Sequence, residues 1–438
     1  MEAAAGIFEP LEVGDTLTQS QRRRAVAAAT IGNGLEFYDF ITYAFFAIQI
    51  GKSFFPSVSP FLSLMGSLAT FGAGFITRPL GAHFLGGYAD RHGRKPAMLI
   101  SMTMMGAGIL LLALTPGYAT IGYAAPVIAV CARLIQGFAL GGEVGSASIY
   151  MMESSTSARR GYTMSWQGAS QNIAATIGAL VGLGLSLIMN EAELTQYGWR
   201  IALLLGASIV PFALVIRNSL PETLGGGVGE VAQLTPAAAV PLSTYIRPVV
   251  CGFLIIASGT IATYIFNYMA TYGQNTLGLS TSVSMAGEFV NNGIGVITVM
   301  LGGWMSDLRG RRPIMLGAHG LFGLLILPCF LWLTTARSAG AFIGVNVILS
   351  GVSSFAYGAI YAGISESLPR SVRARVFALV YSLPVALFGG TTQMVVTWLL
   401  HVTGDPMSIA WYLTGVTFIG LLAMLAMRES APVRMMGG

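Results

Sequence analysis

The sequence predicts an all-α membrane protein with twelve transmembrane helices in two pseudo-symmetric halves of six. Three observations support this prediction. Of the 438 residues, 54% are hydrophobic and only 9% are charged, whereas soluble domains carry about 25% charged residues. About twelve stretches reach the roughly 20 mostly apolar residues that a spanning helix requires. A charged loop after the second stretch also recurs about half a chain later.

The N-terminal half is predicted over residues 25–217, after a polar cytoplasmic tail at 1–24. Its apolar runs are continuous and do not alternate with polar residues, so they predict helices and not the strands of a membrane barrel. The six spans expected in this half are 25–50, 61–87, 97–116, 121–152, 160–189 and 199–217.

A hydrophilic linker is predicted between the halves, at residues 218–245. The stretch NSLPETLGGGVGEVAQLTPAAAVPLSTYIRP is rich in glycine and proline and has no helical periodicity, which is typical of a flexible connection. The C-terminal half follows at 246–428, with a tail at 429–438. Its expected spans are 246–276, 281–304, 314–336, 340–367, 372–401 and 408–428.

The positive charges predict the orientation of these helices. The chain has 23 lysines and arginines and a net charge of +5. Most of them fall in loops that are cytoplasmic if the N-terminus is cytoplasmic, and Lys52, Arg200 and Arg337 fall on the other side. Because positive residues mark the cytoplasmic ends of short loops, both termini are expected inside. The basic balance therefore reflects topology in the bilayer and does not indicate a nucleic-acid partner.

An internal repeat supports the division into halves. GGYADRHGRKP begins at Gly86, and GGWMSDLRGRRP begins at Gly302. Each copy follows the second span of its half. Parallel repeats of this kind build transporters whose substrate site lies near mid-membrane between the halves.

The repeated loops resemble the loop signature of the major facilitator superfamily, G-x-x-x-D-R-x-G-R-K. The first copy matches it at Gly86, Asp90, Arg91, Gly93, Arg94 and Lys95. The second copy is weaker and matches at Gly303, Asp307, Gly310, Arg311 and Arg312. RLIQGFALGGE, from Arg133, resembles the fourth-helix signature R-x-x-Q-G of the same superfamily.

Further motifs resemble the metabolite:proton symporter branch, which includes citrate, 2-oxoglutarate, shikimate and proline/betaine carriers. They are GNGLEFYDF in the first helix, TRPLGA in the second, and FGGTTQ and TGDP near the end. YTMSWQGASQ, after Arg160, is most similar to citrate and tricarboxylate carriers. The resemblance implies proton-coupled import of a small organic anion across a bacterial-type inner membrane. It implies no cofactor besides the coupling proton and no obligate protein partner.

The repeated loops are predicted to be gates. Asp90 is expected to accept charge-assisted hydrogen bonds from its basic neighbours and to face the positive N-terminus of a helix in the opposite half. The resemblance implies that such loops latch the outward-facing state. The alternative is a plain topology anchor. The candidate gating residues are Gly86, Asp90, Arg91, Gly93, Arg94, Gly303, Asp307, Gly310 and Arg311.

Arg78 is the first candidate for substrate binding. It lies on the order of 12 Å inside the helix from Gly86, and a charge at such depth usually faces a cavity or a partner. The corresponding position in the second repeat is Gly295, so a structural role shared by both halves is not indicated. The alternative is that Arg78 snorkels to the cytoplasm. The candidate substrate residues are Arg78, Arg133, Tyr264, Asn267, Gln167, Gln171, Tyr357, Tyr361 and Gln393.

Carboxylates within the spans are the candidates for proton coupling: Glu36, Asp39, Glu143 and Glu288. In this hypothesis, a buried arginine holds a carboxylate ionised until an anionic substrate takes the arginine. The freed carboxylate, still away from water, then takes a proton. For each residue the alternative is a structural ion pair.

Other functional classes remain open. An osmolyte symporter of the proline/betaine type and a proton-coupled exporter of hydrophobic compounds are the alternative transporters. A receptor or embedded enzyme would need an output domain or a catalytic constellation, and neither is visible in the sequence. A G-x-x-x-x-G-K-[ST] loop is also absent from the sequence, so coupling to ATP is not expected.

Overall fold

The computed structural model describes residues 30, 33–34, 37–92, 94–141, 155, 157–219, 241–369 and 372–431. Within these ranges the chain forms helices and turns, and no β-strand is present. The predicted tails and the predicted linker lie wholly or mostly outside them.

The N-terminal half contributes six long helical segments to the described residues. They are α1 (37–45 and Ala47–Phe54), α2 (Pro60–Ile76 and Arg78–His92), α3 (Arg94–Leu114), α4 (Ala124–Gly141), α5 (Arg160–Ile188) and α6 (Trp199–Ser219).

The helix expected over 121–152 begins later than predicted, at Ala124. A separate helical turn at Tyr118–Ile121 ends at Gly122, whose φ of 58° does not continue a helix. Glycine adopts this left-handed region without the steric cost that other residues meet. Residues 142–154 lie outside the described part of the chain.

The C-terminal half repeats the arrangement with six further segments. They are α7 (Ile246–Asn275), α8 (Thr281–Arg309), α9 (Arg311–Ala336), α10 (Ala339–Glu366), α11 (Arg373–Pro384, a π-helical turn at Val385–Gly389, and Thr392–Thr403) and α12 (Ser408–Ala426). The predicted all-α architecture of twelve helices is therefore confirmed.

Eight of the helices in the described residues are long and apolar enough to cross a membrane by length and composition alone: α2, α4, α5, α7, α9, α10, α11 and α12. The helix α8 carries Glu288, Asn291 and Asn292 in an otherwise apolar sequence, which lowers its hydropathy. All three side chains are buried inside the protein. A spanning helix tolerates such residues where they are turned away from lipid.

The two halves meet along two seams. In one, α5 packs against α8 and α10, and in the other α2 packs against α11. Glycines allow close backbone approach in both seams. A Cβ added to Gly303 would lie 2.6 Å from the Gly161 carbonyl oxygen, and one added to Gly72 would lie 2.8 Å from that of Gly390. The side chains between the seams are thereby held around a space that both halves share.

Candidate functional site

A cavity that is partly open to solvent lies between the two halves. It is walled by α1 and α5 from one half and by α7, α8 and α10 from the other. Five of the predicted substrate residues line it: Gln171, Tyr264, Asn267, Tyr357 and Tyr361. Its described lining offers amide and hydroxyl groups among apolar side chains and no charged group. Such a wall can donate and accept hydrogen bonds around a polar ligand.

A buried ion pair lies in the N-terminal half. Arg133 Nη1 is 3.5 Å from Asp39 Oδ2 and donates to Gln136 Oε1 at 2.7 Å. The guanidinium carbon also lies 4.4 Å from the centroid of the Phe40 ring and 4.6 Å from that of Tyr43. Within the described residues, Arg133 Nε and Nη2 have no hydrogen-bond partner. A fully buried arginine with spare donors is suited to receive an anion.

Arg78 contacts the same Phe40 ring from α2. It begins the second segment of that helix, after Thr77 interrupts the first and donates to the Leu134 carbonyl oxygen of α4. Its guanidinium carbon lies 4.0 Å from the Phe75 ring centroid and 4.6 Å from that of Phe40. Phe75 precedes Arg78 by almost one turn, so the side chain is directed away from the C-terminal end of α2, which is the end predicted to be cytoplasmic. This orientation differs from the one that snorkelling requires.

Tyr264 of the C-terminal half completes the surroundings of Arg78. The Arg78 guanidinium interacts with the Tyr264 hydroxyl, and the Tyr264 ring packs edge-on against Phe75 at 5.5 Å between centroids. Gln393 lies behind Tyr264, where its Nε2 donates to the Tyr264 carbonyl oxygen at 3.5 Å. The structure therefore brings Arg78 and Tyr264 together and places Gln393 against the backbone of α7, outside the cavity lining.

Tyr381 of α11 is a site residue that the sequence interpretation missed. Its hydroxyl lies near the side chains of Gln167, Gln171 and Tyr361, and its ring packs against Tyr361 at 5.9 Å between centroids. It thus joins α5 of one half to α10 and α11 of the other. A single tyrosine in an apolar helix gives no periodic signal, so the sequence had no means of selecting it.

Glu288 is a second fully buried carboxylate. Its Oε1 accepts the Ala270 backbone N–H of α7 at 3.0 Å. Its Oε2 accepts the Nδ2 groups of Asn291 and Asn292, each at 3.4 Å. Among the ion pairs of the described residues, none includes Glu288. Asn291 and Asn292 themselves line the cavity, although the sequence interpretation did not select them as binding residues.

The second copy of the repeated loop forms a polar network at the end of α8. Asp307 accepts the backbone N–H groups of Gly161 at 2.8 Å and Tyr162 at 2.9 Å, which belong to the first turn of α5 and have no partner within that helix. Arg311 Nη1 donates to Asp307 at 2.6 Å and to Ser306 at 2.8 Å. The contact that was expected of Asp90, with a helix N-terminus of the opposite half, is found here at Asp307.

This network extends through the C-terminal half. Arg311 donates two hydrogen bonds to Glu366 at the end of α10, at 3.0 and 3.1 Å. Glu366 in turn lies 3.5 Å from Arg160 of α5. Glu429 accepts the backbone N–H groups of Arg311 and Arg312 at 2.9 and 3.1 Å. The segment after α12 therefore caps the first turn of α9.

The glycines of the two loop copies have different surroundings. Gly303 is wedged against α5, and Gly310 takes a φ of 101° between α8 and α9. Gly86 has open space where a Cβ would stand. The side chains of Asp90, Arg91 and Arg94 lie outside what the structure describes, as do Gly93, Glu36 and Glu143 entirely.

Comparison with known proteins adds a family and several relatives. A family model described as "Major Facilitator Superfamily" matches residues 29–383. A citrate-proton symporter from Salmonella typhi is 37% identical over 93% of this chain and 94% of its own length. A citrate-proton symporter from Klebsiella pneumoniae is 35% identical, with coverage of 91% and 90%. The alpha-ketoglutarate permease of Escherichia coli (strain K12) is 33% identical, with coverage of 94% and 96%.

A solved structure has the same fold at lower identity. The crystal structure of a D-xylose-proton symporter superimposes with a TM-score of 0.73 and 18% sequence identity. The match covers 93% of this chain and 97% of the xylose protein. At this identity the likeness concerns the fold alone.

Proposed function

The chain belongs to the major facilitator superfamily, and on this premise we propose that it imports a citrate-like di- or tricarboxylate together with protons, by alternating access. The observation that carries the proposal is a pair of arginines, Arg78 and Arg133, whose side chains point into the protein beside a neutral polar cavity between the halves. The fold and the relatives are those of transporters and not of enzymes.

The arginines supply the recognition of an anion in this proposal. A guanidinium binds a carboxylate through two parallel hydrogen bonds, and Arg133 has two buried nitrogens to offer. Arg78 adds a second positive charge against the same Phe40 ring. A substrate with two or three carboxylates can engage both arginines while its remaining oxygens bind the amides and hydroxyls of the cavity wall.

Asp39 is proposed to couple the anion to a proton. In the empty carrier Arg133 compensates the buried charge of Asp39. When a substrate carboxylate takes Arg133, Asp39 becomes a buried carboxylate without a cation, a state that is costly unless the group is neutralised. Protonation then removes the charge. A co-transported proton also offsets the roughly 2.3 kcal/mol needed to move one negative charge inward against 100 mV.

A zwitterion symporter is the second candidate. Proline/betaine transporters of Salmonella typhimurium and Escherichia coli are 29% identical over 97% of this chain. The arginine pair favours an anion over a zwitterion, because a zwitterion would bring its own cation near Arg78 and Arg133. Export of hydrophobic compounds is disfavoured by the polar groups of the cavity wall.

The setting proposed for this activity is a bacterial inner membrane, with both termini in the cytoplasm. The expected partners are the lipid bilayer, the organic anion and the proton, which serves as the coupling ion in place of any cofactor. Neither nucleic acid nor an obligate protein partner has a part in the proposal.

Uptake into proteoliposomes tests the proposal. Radiolabelled citrate, 2-oxoglutarate, betaine and tetraphenylphosphonium are offered under an imposed inward proton gradient, with protein-free liposomes and a protonophore as controls. Citrate or 2-oxoglutarate should accumulate only with protein and only while the gradient lasts. Accumulation of betaine alone would favour the osmolyte candidate, and proton-driven movement of the lipophilic cation alone would favour the exporter.

A further inference from the structure

We propose that Glu288 is a second proton-binding site of the carrier, and that Asn291 and Asn292 link it to the substrate in the cavity. The inference rests on the proposed function and adds a site in the C-terminal half to the Asp39–Arg133 pair of the N-terminal half. Because the two carboxylates belong to different halves and have different partners, they can load protons separately. This matters for a tricarboxylate, whose charge a single proton would leave largely uncompensated.

The contacts of Glu288 suit a group that changes its charge. Its described partners are all N–H donors, from the backbone of Ala270 and from the two asparagines. These donors stabilise the ionised form, but no ion pair of the described residues compensates its charge. If the asparagine donors were withdrawn, Glu288 would be a buried carboxylate that protonation can neutralise.

The same contacts argue for a proton and against a metal cation. Calcium and magnesium sites in proteins are assembled from oxygen ligands, whereas Glu288 is met by nitrogen donors. Asn292 Nδ2 donates to the Glu288 carbonyl oxygen at 2.8 Å as well as to its carboxylate. The amides thus present hydrogen to Glu288, and these hydrogens would repel a metal cation.

The asparagines stand between Glu288 and the cavity. Each lines the cavity and is nevertheless buried, with 3% of Asn291 and 5% of Asn292 exposed. Asn291 is held in place because its backbone carbonyl accepts the Ser350 hydroxyl at 2.7 Å. A substrate carboxylate in the cavity would draw the amide donors away from Glu288. Ionised Glu288 and a bound anion therefore compete for the same hydrogen bonds, and protonation of Glu288 releases the donors to the substrate.

Several ionisable groups on the helices packed against α8 make contacts with residues other than Glu288. On α7, the Tyr268 hydroxyl bonds to Thr397 and the Tyr272 hydroxyl to the Pro406 carbonyl oxygen. On α9, His319 lies beside Gly420 of α12. The full set on α5, α7, α9 and α10 is Arg160, Tyr162, Arg247, Cys251, Tyr264, Tyr268, Tyr272, Arg311, Arg312, His319, Cys329, Tyr357, Tyr361 and Glu366. The hydrogen bonds and ion pairs of Glu288 in the described structure include none of them.

Proton stoichiometry in proteoliposomes tests the inference. The full-length protein is reconstituted as wild type, as Glu288→Gln and as Glu193→Gln, and the proton-to-citrate ratio is obtained from the reversal potential of [14C]citrate flux. Glu193 is an exposed carboxylate whose capping role glutamine can fill, so its variant is the matched control. Glu288→Gln should lower the ratio by about one proton, in line with the loss of one titrating carboxylate, while citrate counterflow at equal pH continues.

The outcomes separate the inference from the function on which it rests. Citrate counterflow by wild type together with an unchanged ratio in Glu288→Gln overturns the inference and leaves the proposed function standing. A wild-type protein that moves no carboxylate overturns both.

If Glu288→Gln does not fold, Asn291→Ala decides in its place, because it retains Glu288 and removes one donor that the substrate is proposed to share. Its citrate Kd should rise about tenfold, the loss expected for one hydrogen bond to a charged group, and it should take up fewer protons per bound citrate. Unchanged values of both would overturn the inference.

Discussion

The two halves of the molecule share a helical layout but differ in where they place charge. Arg78 of α2 has its counterpart at Gly295 of α8, and the two positions lie in different surroundings. Arg78 reaches the aromatic residues beside the cavity, whereas a Cβ added to Gly295 would lie 3.0 Å from Asn172 of α5. Arg78 thus places a cation in the protein interior, whereas Gly295 allows α5 and α8 to pack closely.

The difference between Arg78 and Gly295 shows which properties the two halves share and which they do not. Both halves need apolar helices of the same length to span the bilayer, so the fold is repeated. In the proposed function, substrate recognition needs positive charge on one side of the cavity only, because a like charge opposite Arg78 and Arg133 would repel them. In the described residues, the N-terminal half therefore supplies the two arginines, and the C-terminal half supplies most of the hydroxyl groups of the cavity wall and the buried Glu288, which belongs to no ion pair there.

Removal of Arg133 should have the largest effect on stability and on transport. Arg133→Ala leaves Asp39 buried without its cation, and loss of one partner of a buried pair costs about 3–5 kcal/mol. Thermal unfolding of the purified protein should show a much lower midpoint, and citrate uptake should be lost. Tyr357→Phe, which removes one hydroxyl contact with Thr263 in the C-terminal half, should change stability far less.

A double variant shows which loss belongs to folding and which to transport. Asp39→Asn with Arg133→Gln removes both charges, so the unfolding midpoint should recover toward wild type while uptake stays absent. Recovery of proton-driven uptake in the double variant would contradict the role given to the pair.

Asp307→Asn tests whether the second loop copy holds α5 against α8. Asp307 accepts two backbone N–H groups of α5 and the Arg311 guanidinium. Hydrogen bonds to a charged group contribute about 1.5–3 kcal/mol each, so the contact between α5 and α8 should open more often. Accessibility of a cysteine introduced near Tyr162 to a membrane-impermeant thiol reagent should increase. Equal labelling of both proteins would show that Asp307 does not hold the two halves together.

A glycine pair offers a matched test within the repeat. Gly303→Ala places a Cβ 2.6 Å from the Gly161 carbonyl oxygen and 2.8 Å from Ser165 Cβ, and such overpacking costs about 1–3 kcal/mol. Gly86→Ala meets open space and should gain about 0.5–1 kcal/mol, because alanine favours a helix. The two unfolding midpoints should therefore move in opposite directions. A loss of stability in both variants would mean that Gly86 approaches another part of the protein.

The architecture could be predicted from sequence because it depends on local quantities. Helix length, apolar content and loop charge can be read along the chain, and α8 was expected from 281 even though it carries Glu288. The cavity wall could not be assigned in the same way. From the sequence, Asn291 and Asn292 could equally hydrogen-bond to a packed helix or line a cavity. The positions of the neighbouring helices decide between the two.

The polar network at the end of α8 was only partly predictable for the same reason. The repeat identified Asp307 and Arg311, because their spacing recurs. Their partners come from the start of α5, the end of α10 and the segment after α12, at Gly161, Glu366 and Glu429. No spacing in the sequence links these three positions, so the tail expected from 429 gave no indication that its first residue caps α9.

Glu429→Ala should have a smaller effect than the Arg133 and Asp307 variants and marks a further difference between the halves. Glu429 accepts the backbone N–H groups of Arg311 and Arg312, as a capping residue does, and loss of a helix cap costs about 0.5–2 kcal/mol. Its carboxylate also favours the positive N-terminal end of α9, so Glu429→Gln should restore only part of the loss. The measurement is the unfolding midpoint of both variants at low and high salt, since screening weakens the charge contribution and leaves the hydrogen bonds. If Glu429→Gln is as stable as wild type at low salt, the charge of Glu429 contributes nothing, and the polar network at the end of α8 is stabilised by Asp307, Arg311 and Glu366 without a charge contribution from Glu429.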